Sequence, residues 1–89
     1  MVSGLEMVGY VAGVLSCSAF LPQVVHTWRS RSVQDISLGM FLINCLGTGL
    51  WLWYGFQVRS IPIIGTNGVI LLLSAAMLIM KIRFSRPPD

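Results

Sequence analysis

Three stretches of the chain carry no charged side chain: residues 7–28, 36–58 and 60–80, of 22, 23 and 21 residues. A helix needs about 20 residues to cross a hydrocarbon core about 30 Å thick, so each stretch predicts one transmembrane helix. The helices are expected at 5–27, 37–57 and 60–82, within one all-α membrane domain spanning residues 1–89. A membrane β-barrel would instead show alternating segments of about 10 residues, and the sequence has none. Composition agrees, with 55% apolar and 10% charged residues against about 25% charged in soluble domains. This balance excludes a water-soluble enzyme, a nucleic-acid module and a disordered tail. Net charge is +3, but six basic residues are too few to track a phosphate backbone. The expected partner is a lipid bilayer, not nucleic acid.

The nine charges flank these stretches. Arg29, Arg31 and Asp35 fall in the first connection, Arg59 in the second, and Lys81, Arg83, Arg86 and Asp89 follow the third stretch. Glu6 precedes the first. Helix parity puts five of the six basic residues on one side, which the positive-inside rule makes cytoplasmic. The expectation is a multi-pass protein of the plasma (inner) membrane, N-terminus outside and C-terminus cytoplasmic. The first stretch lacks a basic n-region and exceeds the usual apolar run of about 7–15 residues, so it is not read as a cleaved signal peptide.

No Asp, Glu, Lys or Arg lies within the three stretches. Proton-coupled carriers depend on such a residue, so its absence favours facilitated movement of a neutral solute. There is no nucleophile–base pair and no cluster of metal-ligand spacing, so no enzyme, cofactor or metal is expected. Cys17 and Cys45 fall inside helices and are read as packing residues. His26 stands at the inner end of helix one and is read as structural or surface.

Local signals place small and polar residues on particular faces. Gly9 and Gly13 form a GxxxG pair that admits another backbone closely. Pro22 lies about five residues from the inner end of helix one and leaves the Ser18 carbonyl without its helical donor. A fixed kink and a hinge are both consistent with it. In helix two, with Asp35 or Ser37 as N-cap, Asn44, Gly47, Thr48, Trp51, Tyr54 and Gly55 share a face at i, i+3, i+4 spacing. Trp53 reads as an interfacial belt residue. Helix three follows Ser60 as N-cap, with Pro62 in its first turn, and carries one amide, Asn67.

An amide at that depth must find a partner, either a neighbouring helix or a ligand. Trp51 lies six residues before the end of helix two and Asn67 seven after the start of helix three. Both side chains therefore sit roughly 9–11 Å below the outer end. An aromatic plate beside an amide suits a pyranose, with its apolar C–H face and rim of hydroxyls, but helix packing would use the same residues. Three helices cannot enclose a solute pathway, so any transport requires self-association.

Pro22-Gln23, a short basic connection, LWLWYG at 50–55 and PIIGTNG at 62–68 together resemble the PQ-loop pattern and, within it, the bacterial half-transporters called SemiSWEETs. The resemblance spans roughly residues 8–82 and implies a three-helix bundle with helix three packed between helices one and two. It further implies a parallel homodimer around one sugar pathway, with uniport by alternating access. By position, Trp51 and Asn67 match the sugar-binding pair, Pro22 the hinge of the PQ motif, and Gln23 a residue that holds the packing around it. Phe41 is a candidate inner gate; Tyr54 and Arg59 are candidate outer gates. The expected cargo is a mono- or disaccharide such as glucose or sucrose. Alternatives are a PQ-loop carrier of another small metabolite and a small membrane subunit that transports nothing.

Overall fold

The computed structural model describes residues 4–85. Arg86 and Asp89, counted above among the charges, lie outside them. Three helices form: α1 (Gly4–Ser30), α2 (Leu38–Val58) and α3 (Ile61–Phe84). Each is long and apolar enough to cross a membrane.

The ends of the helices follow from capping chemistry rather than from where charge begins. Ser37 and Ser60 are both N-caps, their Oγ atoms accepting from the Met40 and Ile63 amides at 3.1 and 3.4 Å. Each cap stands just outside its helix, so α2 and α3 begin one residue later than expected. Pro62 sits in the first turn of α3, where a missing N–H costs no helical bond. At its start α1 gains a residue, and at its end it runs three residues past the expected boundary, to Ser30. Arg29 in its last turn suits the negative end of the helix dipole, so the charge that suggested a stop instead extends the helix. Arg31 ends it with φ 58°, its amide donating to the Thr27 carbonyl at 2.8 Å.

At the other end of the molecule, α2 stops at Arg59, also left-handed with φ 55°. Ser60 N–H donates to Gly55 O at 3.0 Å and Arg59 N–H to Phe56 O at 3.3 Å, the paired bonds of a Schellman motif. Two residues thus reverse the chain and set α3 antiparallel to α2.

The Cα envelope measures 57 × 22 × 14 Å. Three axes side by side at about 8–10 Å, plus a Cα cylinder about 4.6 Å wide, span about 21–25 Å, close to the 22 Å width, but the 14 Å depth is well above one such cylinder. The helices therefore form an open, bent arrangement, neither a flat sheet nor an equilateral bundle. α3 is the middle member, packed against both neighbours, while α1 and α2 make no close backbone approach to each other among the described residues. Helix three between one and two, as the sequence resemblance implied, is the observed order.

Small residues set the spacing. A Cβ at Gly9 would meet Pro62 Cβ at 3.0 Å, and one at Gly13 would collide with the Thr66 side chain, so the GxxxG pair is used within the chain, against α3. Gly55 does the same for α2: an added Cβ would lie 2.8 Å from Ile63 Cγ2 and 3.2 Å from the Ile64 backbone nitrogen. Between α2 and α3 the Asn44 amide donates to Ser74 Oγ at 2.7 Å, and Ser74 is fully buried. Thr48, also buried, turns its hydroxyl back to the Asn44 carbonyl at 2.7 Å.

The end that carries the basic residues is the most tightly packed. Thr27, Val33, Met77 and Met80 are buried there, and Lys81 Nζ donates to the Val33 carbonyl at 2.8 Å, fixing the first connection to α3.

Candidate functional site

One side of this arrangement collects polar and aromatic side chains. On α1, Ala12, Ser16, Phe20 and Gln23 recur at helical spacing, and they line two successive concavities. The first, about 180 Å³, lies between α1 and α3 and includes Ile63, Thr66 and Asn67. The second, about 420 Å³, lies between α1 and α2 and includes Phe41 and Asn44. A third, about 370 Å³, runs along α2 past Gly47, Leu50, Trp51 and Tyr54. Tyr10, Val14 and Cys17 of α1 line a groove with Gly65 and Val69 on the opposite side.

The stripe on α2 that reads as one face in the sequence divides in the structure. At roughly 100° per residue, Asn44, Thr48 and Gly55 span about 40°, and Gly47, Trp51 and Tyr54 span the adjoining 60°, with Trp51 at the boundary about 20° from Asn44. The first group meets α3 and the second lines the open concavity. Trp51 is 55% exposed and stands perpendicular to Tyr54 with ring centroids 5.5 Å apart. An indole so placed offers apolar area that nothing in its own chain covers.

Asn67 takes neither of the roles an intramembrane amide usually has. Its Nδ2 donates to the Ile63 carbonyl of its own helix at 3.0 Å, and its carbonyl oxygen accepts from no described residue. The interhelical bond expected of such an amide is made by Asn44 with Ser74 instead. Asn67 is thus held by its donor and presents an acceptor to the crevice. Trp51 and Asn67 occupy separate concavities of the single chain.

Toward the basic end, Phe41 meets Phe20 edge-on, with centroids 6.1 Å apart and planes at 88°. This contact joins the side chains of α1 and α2 directly. The sequence points to Phe41 by its depth, but Phe20 carries no motif and emerges only from the packing. Gln23 lies beside them, exposed, with no hydrogen bond to a described residue. Pro22 is exposed within a helix that continues unbroken from Gly4 to Ser30. Arg59 is exposed, and the bonds it makes are those of its backbone at the α2–α3 reversal. His26 is exposed, while Cys17 and Cys45 are half-buried free thiols. Among the described residues no group of His, Cys, Asp and Glu could hold a metal ion.

The PQ loop repeat pattern matches residues 4–64. The chain belongs to the PQ-loop family. Within that family it is 40% identical over 80 residues to the sugar transporter SemiSWEET of Bradyrhizobium diazoefficiens, covering 90% of this chain and 93% of that protein. A crystal structure of a bacterial homologue of SWEET transporters superposes with a TM-score of 0.88 at 34% identity, covering 93% of this chain and all of that one. A crystal structure of SemiSWEET in the inward-open conformation gives a TM-score of 0.83 at 28% identity, over 89% of this chain and 85% of that one. This PQ-loop chain therefore spans nearly the full length of the SemiSWEET proteins it matches, as one half-transporter unit.

Proposed function

We propose that this chain is a membrane sugar transporter that works as a parallel homodimer. Two three-helix units facing each other through their polar sides enclose the pathway that one unit leaves open. A single observation carries the reading: Trp51 and Asn67 are the aromatic plate and the amide with an unpartnered acceptor, both on the uncovered side. A pyranose stacks its C–H face on the indole and donates a hydroxyl to the Asn67 carbonyl. Two such pairs, one from each copy, clamp a mono- or disaccharide.

Transport is uniport by alternating access. The Phe20–Phe41 contact serves as the constriction toward the basic end, with Tyr54 and Arg59 at the opposite end, and Pro22-Gln23 as the hinge that lets the inner part of α1 swing. The basic end faces the cytoplasm, as the bias of lysine and arginine dictates. No charged side chain lies in the charge-free stretches, so the cycle runs without an ion gradient.

The test is counterflow of labelled glucose and sucrose into liposomes holding purified protein, with no proton gradient. Trp51→Ala and Asn67→Ala are expected to reduce exchange to background while the protein remains a folded dimer. Retained exchange in both variants overturns the pocket assignment. A stable monomer without counterflow supports the reading of a small subunit that transports nothing.

A further inference from the structure

We propose that the junction of α1, the first connection and α3 is a binding site for the phosphate of an anionic membrane lipid, built by Arg31 and Lys81. Arg31 is fixed at three points. Its backbone is left-handed, which is uncommon for a residue with a side chain, and its amide is bonded to Thr27. Its guanidinium carbon lies 5.2 Å from the Trp28 ring centroid and 4.7 Å from that of Phe84, two rings themselves 6.4 Å apart. Contact with ring faces uses no hydrogen-bond acceptor, and the guanidinium makes no hydrogen bond to a described residue, so its N–H donors remain available.

Lys81 is half-buried and spends one donor on the Val33 carbonyl, leaving two. Lys81 and Phe84 are three apart on α3, hence on one helix face. Arg31 touches Phe84, and Val33, two residues on, holds Lys81, so both cations belong to one patch. Neither forms an ion pair with a described residue, and neither does Asp35 in the same connection. Two like charges gathered with no ion-pair partner among the described residues repel each other, and an anion lodged between them reverses that repulsion. A planar fork of donors beside a compact ammonium is the donor set that suits phosphate.

The place of the site identifies the source of the phosphate. It lies at the end of three helices able to cross a membrane, and Trp28, 59% exposed, is the amphipathic type of ring that settles at headgroup depth. A lipid whose phosphate is held here can run its acyl chains along the exposed apolar sides of α1 and α3. Basic pockets between membrane helices recognise acidic headgroups on this principle.

The experiment compares melting of the purified protein in neutral detergent with added phosphatidylglycerol, phosphatidylcholine or free glycerol phosphate. Phosphatidylglycerol alone is expected to raise the midpoint by several degrees, and the Arg31→Gln/Lys81→Gln variant is expected to lose that response. Arg29→Gln/Arg83→Gln, which removes the same charge from the same end, is expected to keep it. An equal loss in that second variant assigns the effect to diffuse charge and overturns the site. So does an equal response to phosphatidylcholine or to glycerol phosphate. Should the double variant fail to fold, bound phosphatidylglycerol counted by native mass spectrometry on Arg31→Gln decides: at least a fivefold loss supports the site and unchanged binding overturns it.

Discussion

Replacing Gly55 with alanine tests whether the spacing of α2 and α3 is set by this one residue. The added Cβ would lie 2.8 Å from Ile63 Cγ2, 3.2 Å from Ile64 Cγ1 and 3.2 Å from the Ile64 backbone nitrogen. Side chains can turn aside, but a backbone atom in the first turn of α3 cannot move without opening the Schellman reversal that Gly55 itself closes through its carbonyl. Overpacking of this kind costs about 1–3 kcal/mol. Against it stands the gain from replacing glycine in a helix, about 0.5–1 kcal/mol. Gly49→Ala isolates that gain, because Gly49 lies in the same helix and a Cβ there meets nothing within 4 Å. The difference between the two variants is therefore the packing cost alone, about 1–3 kcal/mol, with Gly55→Ala the less stable. Reversible unfolding in detergent, measured on both, gives that difference directly. Equal stability of the two variants would refute the claim that Gly55 sets the contact.

Two further outcomes follow from the same geometry. Ser74→Ala removes the acceptor for Asn44, and in a membrane such bonds are worth about 0.6 kcal/mol on average and up to about 1.7; a loss near 1 kcal/mol is expected from full burial of Ser74, and a double-mutant cycle with Asn44→Ala should show the two losses overlapping rather than adding. Pro22→Ala restores a helical donor and is expected to raise stability by up to about 3 kcal/mol, the cost of a proline inside a helix, while slowing sugar exchange; exchange at the normal rate would leave Pro22 as a fixed kink.

The parts of this protein that are legible in the sequence are those that lipid dictates. Hydrocarbon tolerates neither charge nor unpaired backbone, so three helices and their approximate limits follow from where charge is missing. Ser37, Ser60 and Pro62 are likewise readable, because caps act on residues three or four positions away. Partner choice is harder to read. Asn44 and Asn67 are both amides on membrane helices, yet one is spent on Ser74 and the other is turned back on its own carbonyl. What separates them is which face of each helix meets its neighbour, and Gly55, which admits the close approach of α3, has no polar signature. Phe20 is illegible for a related reason: an apolar aromatic in an apolar helix looks like lipid-facing bulk, and its role rests on the edge-on contact with Phe41.

The open three-helix arrangement also explains why so much apolar surface is left uncovered without being an anomaly. In water, a chain whose buried hydrophobic residues are Val33, Met77 and Met80 would have no core to hold it together. In lipid, the outward-facing leucines and valines are already solvated, and the helices need only small residues and a few hydrogen bonds to find their places. The cost falls instead on polar groups turned toward hydrocarbon. Gln23, Tyr54, the Asn67 carbonyl and the indole of Trp51 all lie on the side that no element of the chain covers. A single unit would expose them to acyl chains, which offer no hydrogen bonds. In the proposed homodimer a second unit, together with the water and sugar it would enclose, supplies the missing partners. The residues proposed to recognise the sugar would thus also favour the proposed dimer that makes room for it.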